Sequence, residues 1–558
     1  MMKYISLLLF CFCFSFALAQ NKPGKSKLKV LKNDMIQRDA DKYKGNPLFT
    51  GNLLFEHEGT TLAADSAVYY QKENFIVAWS NVRIVQQDKT ITGDYVEYDG
   101  NTTIAKVKGR AQFSDPQNTI TANEMEYNRT TEIATGIGNV LMISPNQRIE
   151  TEWMTYNRKT GIAHSNKFVK VTGSDGSVTE TNGITYNTNS KSADFGSDVY
   201  ITNQDYLIFS KSMSNNQTTG ETIFRDYSKI TNRKNPGQYI ITTKGKFNKT
   251  TGQAELFNRS QVFSDGKMIT ADSLYYNEKT GFGKALGDIL IDDPKEKRYI
   301  KGNYAEAYKH LDSAFVTKNA YAVKAFEKDS FYIHADTLVA VRRKDSTSLV
   351  RAFHKARFFK SNVNGKADSL VFNQKNGVLE LIKDPIVWSG ESQITGDVIY
   401  GYTNPETEKL DSLYVLGNGF AIAKVDSLKD NEYNQVKGRK ILAYYLDNNL
   451  DYVSVEGNAM GLAYMDEEDP KTKEKDRVGI NHSTCGMIEA DIVGKELYIV
   501  ACRIQSNGKL YPESEFPEEF RYLQGFNWRG NERLLHWKDI FLDFIPPKEP
   551  DIDENKTP

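Results

Sequence analysis

Tyrosines recur at a nearly constant interval through the first third of the chain, and that interval decides most of what the chain can become. Tyr70, Tyr98, Tyr127, Tyr156 and Tyr186 are separated by 28, 29, 29 and 30 residues, a period in the range of solenoids and related arrays. Three of them close a shared segment: Ile91-Thr92-Gly93-Asp94-Tyr95-Val96-Glu97-Tyr98, then Ile120-Thr121-Ala122-Asn123-Glu124-Met125-Glu126-Tyr127, then Ile149-Glu150-Thr151-Glu152-Trp153-Met154-Thr155-Tyr156. Looser copies begin at Ile269, His334, Lys366 and Ile394, which carries the repeat from about Thr61 to about Met465.

Inside the repeat the pattern is β. A turn of Asx and polar residues follows the tyrosine, as in Asn128-Arg129-Thr130-Thr131 and Asn157-Arg158-Lys159-Thr160-Gly161. Asn opens a turn by bonding its own backbone, and Gly supplies positive φ. The next segment alternates: Ile76, Ala78, Ser80, Val82 and Ile84 share one face, as do Ala105, Val107, Gly109, Ala111 and Phe113. Ala134, Gly136, Gly138, Val140 and Met142 follow the same rule, with Val169 and Val171, and then Ala193, Phe195, Ser197, Val199 and Ile201. Period two means a strand with one apolar face, and the interleaved Lys106, Lys108 and Arg110 put the other face in water. The fold class is therefore all-β. Each repeat of about 29 residues supplies one strand up to the tyrosine and one after the turn, so stacked repeats build two sheets facing each other, as a sandwich or an open, elongated jelly roll. In a closed sandwich the small residues let the sheets approach. In a splayed one the same face is a continuous apolar groove.

The ends carry other signals. Met1-Met2-Lys3, an apolar run from Leu7 to Leu18 and Ala17-Leu18-Ala19 have the order of a secretory signal peptide over residues 1–19. A basic linker over 20–34 is expected to follow, then repeats over 35–300 and more divergent repeats over 301–480. The stretch from Asp466 to Arg477 is charged and reads as a solvated loop. An aromatic-rich region over 481–545 departs from the repeat; Phe516, Phe520, Tyr522, Phe526, Trp528, Trp537 and Phe541 suit either a capping subdomain or a docking surface. A disordered polar tail over 546–558 ends the chain. Cys485 and Cys502, the cysteines beyond the leader, are either one disulfide or two buried thiols.

Other function classes find little support. With 71 basic and 72 acidic residues there is no global field to attract nucleic acid. The histidines at 57, 164, 310, 334, 354, 482 and 536 share no metal-ligand spacing, and no catalytic motif or nucleotide loop stands out, so no metal, cofactor or enzymatic activity is expected. The recurrent Asp65, Asp272 and Asp368 repeat at one position per unit, which suits a structural role at a strand start. A membrane-spanning barrel is disfavoured by the low hydrophobicity and the small residues on the apolar face.

The I-T-(A/G)-(D/N) strand, the N-x-x-T-G turn and the A-x-(G/V)-x-G-x-V strand together resemble the repeat of the OstA-like (LptA) family of periplasmic lipopolysaccharide transport proteins. The resemblance spans roughly Met35 to Met465 and is strongest from Thr61 to Ile201. It implies a twisted β-jelly-roll that shields the acyl chains of lipopolysaccharide in an apolar groove and pairs end to end, strand to strand, with related jelly rolls of transport partners. It also implies a periplasmic location and a part in outer-membrane assembly. The inner face of Ile76, Ala78, Val82, Ile84, Ala105, Val107, Ala111, Phe113, Val140, Met142, Val169, Val171, Phe195, Val199 and Ile201 would then contact lipid. The competing readings are a secreted structural or polysaccharide-binding repeat protein with a closed interior, and a β-solenoid polysaccharide-degrading enzyme.

Overall fold

The computed structural model describes residues 26–342, 348–373, 375–404, 409–425, 431–446, 449–468, 475–493 and 496–542. The expected signal peptide and the polar tail lie outside these residues. Two compact units divide at Gln204/Asp205, not at the expected boundary, since 300/301 falls inside the strand Arg298–Tyr308. The start of the repeats also moves: Lys29–Lys32, in the expected linker, is a strand paired antiparallel with Leu48–His57.

In the first unit each strand from Thr60–Tyr70 to Val178–Asn187 pairs antiparallel with the strand before and the strand after it in sequence, from Leu48–His57 at one end to Ser192–Thr202 at the other. The turns are those the sequence predicts: Asn128 Oδ1 accepts from the N–H groups of Thr130 and Thr131, both at 3.0 Å, and Gly161 has φ +69°. Each turn also bonds the previous turn of its row, with Arg129 N to Thr103 O at 3.0 Å, Arg158 N to Glu132 O at 3.0 Å and Thr188 N to Gly161 O at 2.8 Å.

The walls are made differently from the expectation. Strands before and after the tyrosine do not segregate into two sheets; every strand contributes to both walls because the pairing register shifts near its middle. The shift coincides with two successive left-handed residues: Ser80 and Asn81 (φ 65° and 54°), Gly109 and Arg110 (71° and 49°), Gly138 and Asn139 (74° and 50°). Such a bulge bends its strand, and aligned bulges make a corner. Asp65 lies at mid-strand, not at a strand start, and accepts there from Ser80 Oγ at 2.6 Å and Asn81 Nδ2 at 2.7 Å. Asp94 does the same for Arg110 Nε at 3.0 Å. The recurrent aspartate therefore holds the corner. Ser80, Gly109, Gly138 and Ser197, read as inner-face residues, are not buried; the first three are the corner itself.

In the second unit the corner is in places a full break. Tyr206–Ser210 and Met213–Asn216 are separate strands, paired with Ser228–Asn232 and Glu221–Phe224. That is why the copies there are spaced less regularly. The repeat also runs further than expected, because 480/481 falls inside the strand Lys475–Val493, which pairs with Asn449–Glu468, Glu496–Arg503 and Asn507–Tyr511. The described ends of the expected Asp466–Arg477 loop are strand, with Asp466 opposite Arg477. Cys485 and Cys502 join neighbouring strands as a disulfide, Cα atoms 5.9 Å apart.

The aromatic region from Pro512 to Leu542 does not close an end. It runs as a strap of short 3-10 turns across strands as far back as Tyr321–Ala325: Phe520 stacks on His482 at 4.9 Å, Trp528 meets Tyr433 at 5.3 Å, Trp537 stacks on Tyr332 at 5.1 Å and Phe541 meets Tyr321 at 5.2 Å. Phe516 and Leu523 form a cluster with Phe420, Ile422, Tyr433, Leu462 and Ile480. Alternate residues of the same strands, such as Ala421 and Val436, pack into the main core instead, so the strap covers the opposite face of that sheet. Buried amides hold it. Gln435 accepts from Leu523 N and donates to Arg521 O, both at 2.9 Å, and Gln393 accepts from Arg529 N at 2.7 Å and donates to Asn527 O at 2.8 Å.

Candidate functional site

The interior of the first unit is one apolar cluster built from both strands of every repeat. Ile76, Ala78, Val82, Ile84, Ala105, Val107, Ala111, Phe113, Val140, Met142, Val169 and Val171 all belong to it, and Phe195 packs against it partly buried. Val199 is buried but outside that cluster, and Ile201 is half-buried. Sequence reasoning missed the opposite contribution: Ile91, Val96, Tyr98, Ile120, Met125, Tyr127, Ile149, Met154 and Tyr156 face the same interior. Their spacing was visible in the tyrosine-ending segment, where it slips by one residue between Ile91 and Val96, Ile120 and Met125, and Ile149 and Met154.

The two rows of hairpin turns meet. A strand of eleven residues such as Thr60–Tyr70 would span about 36 Å if straight, so contacts between turns at opposite strand ends require the bend at the corner. Those contacts repeat. The Tyr98 hydroxyl lies 2.8 Å from His57 Nδ1, Tyr127 donates to Gln86 Oε1 at 3.2 Å, and Tyr156 donates to Asp115 Oδ2 at 3.0 Å while accepting from Asn118 Nδ2 at 3.0 Å. Each bond to the first polar partner spans 41 residues. Ion pairs follow the same line: Arg129 with Glu58, Lys89 with Glu132 at 2.9 Å, and Arg158 with Asp88 at 2.5 Å. Arg129 also donates to the His57 carbonyl at 2.9 Å. Its hydrogen bond holds the Glu58 carboxyl below the usual carboxylate range. Burial pushes the Tyr98 and Tyr156 phenols up to about 12 and raises that of Tyr127 as well, so these tyrosines stay neutral donors at any ordinary pH.

The seam closes over a filled interior. A cavity beneath it, lined by Leu28, Phe55, His57, Thr60, Leu62, Ile84 and Tyr98, measures about 10 Å³, at most the room of a single water. Among the described residues no group of three or more His, Cys, Asp or Glu is arranged to hold a metal ion, and no helix is long and apolar enough to cross a membrane.

Corner, seam and apolar interior define an all-β jelly-roll repeat protein. Residues 25–180 match the family described as OstA-like protein, and residues 322–407 match the LptA/(LptD N-terminal domain) LPS transport protein family. Over these two segments the chain is similar to the OstA-like and the LptA/(LptD N-terminal domain) families respectively. No curated protein matches it. Among solved structures it is similar to LptH, the LptA-homologous periplasmic component of the lipopolysaccharide transport device of Pseudomonas aeruginosa, at 15% identity over 21% of this chain and 82% of that one, with a TM-score of 0.19.

Proposed function

We propose that the chain is a periplasmic lipopolysaccharide-binding and transport protein, in which the interior of the first unit takes up acyl chains and contributes to outer-membrane assembly. The observation that carries this reading is the coincidence of the OstA-like match over 25–180 with an unbroken apolar interior over the same strands. The driving force is burial of acyl carbon, about 0.8 kcal/mol per CH₂. Related jelly rolls are the proposed protein partners. The strands Lys29–Lys32 and Met35–Gln37 pair only with Leu48–His57 among the described residues and expose Leu31, Met35 and Ile36. Glu496–Arg503 likewise pairs only with Lys475–Val493 and exposes Tyr498, Ile499 and Val500. Both are edges that accept a further strand.

The filled interior favours a second reading, a structural or glycan-binding protein with a permanently closed core. Site-specific photo-crosslinking in cells separates the two, with the probe at Val107, Val140 and Val199 inside and at Lys108 and Arg110 outside. Lipopolysaccharide adducts from the inner positions alone support transport. Absence of lipid adducts at every position supports the closed core.

A further inference from the structure

Resting on the lipid-binding reading, we infer that the seam of the first unit is the mouth of its interior, and that Lys89, Arg129 and Arg158 take the anionic headgroup of an amphiphile when the seam parts. The walls are continuous at the corner, where each strand runs unbroken through its bulge. Opposite the corner side chains and turn carbonyls join them, with the Ser26–Leu28 backbone bonded to His57, Tyr69 and Asn74 at the first turns, so separation there breaks no strand pairing. The composition of that line is the second ground. Two walls meant to stay shut would meet through apolar side chains, because a buried ion pair adds little net stability over an apolar contact. Here they meet through three cations, four carboxylates and a row of phenols, groups that water or a charged ligand can satisfy once the walls part.

Lys89 is the plainest case. Its side chain is 1% exposed, yet its ammonium, within ion-pair distance of Glu132, makes no hydrogen bond, and neither does the facing Glu132 Oε2. A buried cation so incompletely satisfied is costly. A phosphate, with several acceptor oxygens and more than one negative charge, satisfies it better than one misaligned carboxylate does. Arg158 sits within the same group, 3.9 Å from Glu132, and Arg129, 10% exposed, anchors the neighbouring turn. Acyl chains entering along this line displace the tyrosine rings and leave the headgroup among the three cations.

The test uses the purified full chain and two pyrene-labelled single-chain lipids, one with a phosphate headgroup and one with a neutral glycerol headgroup. The parent is expected to take up the phosphate lipid about tenfold more tightly, the scale of one charge-assisted contact. Lys89→Gln/Arg129→Gln/Arg158→Gln is expected to lose that preference while binding the neutral lipid at least as well. A parent without preference, or a preference that survives the triple variant, overturns the headgroup site. Should the triple variant fail to fold, Glu58→Cys/Arg129→Cys and Gln86→Cys/Tyr127→Cys, each bridged by a cleavable bismaleimide, lock the seam instead. Uptake blocked by the lock and restored by cleavage supports the mouth; unchanged uptake overturns it. A parent that binds neither lipid overturns the lipid reading and this inference with it, whereas the locked and unlocked forms separate the second failure from the first.

Discussion

At the scale of the residue, the small side chain of the Ile-Thr-(Ala/Gly)-(Asp/Asn) segment is set by what stands opposite. A Cβ on Gly93 would lie 2.3 Å from Val107 Cγ1, and one on Gly396 would lie 2.3 Å from Val415 Cγ1. In the next repeat the sizes are exchanged, with Ala122 facing Gly136. Gly93→Ala is therefore expected to cost about 1–3 kcal/mol by overpacking, and pairing it with Val107→Ala to cost less than the two losses summed, as urea unfolding reads. The seam phenols are equally specific. Tyr156→Phe leaves the amide of Asn118, itself 2% exposed, short of a partner and is expected to cost about 1–3 kcal/mol in the same assay. The turn residues were legible, because Asn and Gly each have one physical reason to stand there. The corner was legible only in part. Ile76, Ala78, Val82 and Ile84 keep even numbering across the left-handed pair Ser80–Asn81, so in that strand a period-two pattern passes through the bend and hides it, whereas in the tyrosine-ending strand the change of parity from Ile91 to Val96 marks it.

At the scale of the element, the strap shows how composition announces a part without placing it. The aromatic cluster after Pro512 was evident, but whether it caps, docks or packs depends on which sheet face has spare apolar surface. Strands such as Ile386–Ser389, buried at Ile386, Val387 and Trp388 in succession, have apolar residues on both faces and demand a cover. Their amides do the fastening, so Gln393→Leu with Gln435→Leu is expected to leave buried strap carbonyls and N–H groups unpaired, at about 1–3 kcal/mol each. The strap should then become the first site of limited proteolysis while Thr60–Thr202 stays resistant. Acid should loosen it too. The guanidinium of Arg529, together with Lys366, lowers the Glu532 carboxyl from 4.5 to about 2. A depressed folded-state value contributes stability that is complete above about 4.5 and lost as pH falls through about 2. Fluorescence of Trp528 and Trp537 is expected to shift across that window, and Glu532→Gln to weaken the dependence; an unchanged titration in that variant would falsify the assignment.

At the scale of the whole molecule, the period that is nearly constant up to Tyr186 and looser afterwards did mark a change of regime, and the division at Gln204/Asp205 follows the last regular repeat. Its position was not readable, because the strands that follow keep the alternating pattern and differ only in where their corners break. The disulfide belongs to the second unit alone. Joining residues 17 apart, it is expected to contribute about 3 kcal/mol, the scale for a loop near that length. Cys485→Ser/Cys502→Ser should speed amide exchange in Lys475–Tyr511 and leave the first unit unchanged. The seam has a consequence for how the first unit comes into being. Its walls assemble from hairpins between consecutive strands, any of which can nucleate early at little loop-closure cost. The seam bonds join residues 38 to 72 apart and exist only after the intervening hairpins have formed. Wall precedes closure on the folding path, so a chain halted partway through this unit is a trough with its apolar lining bare, a client for a holding chaperone before it is a finished protein.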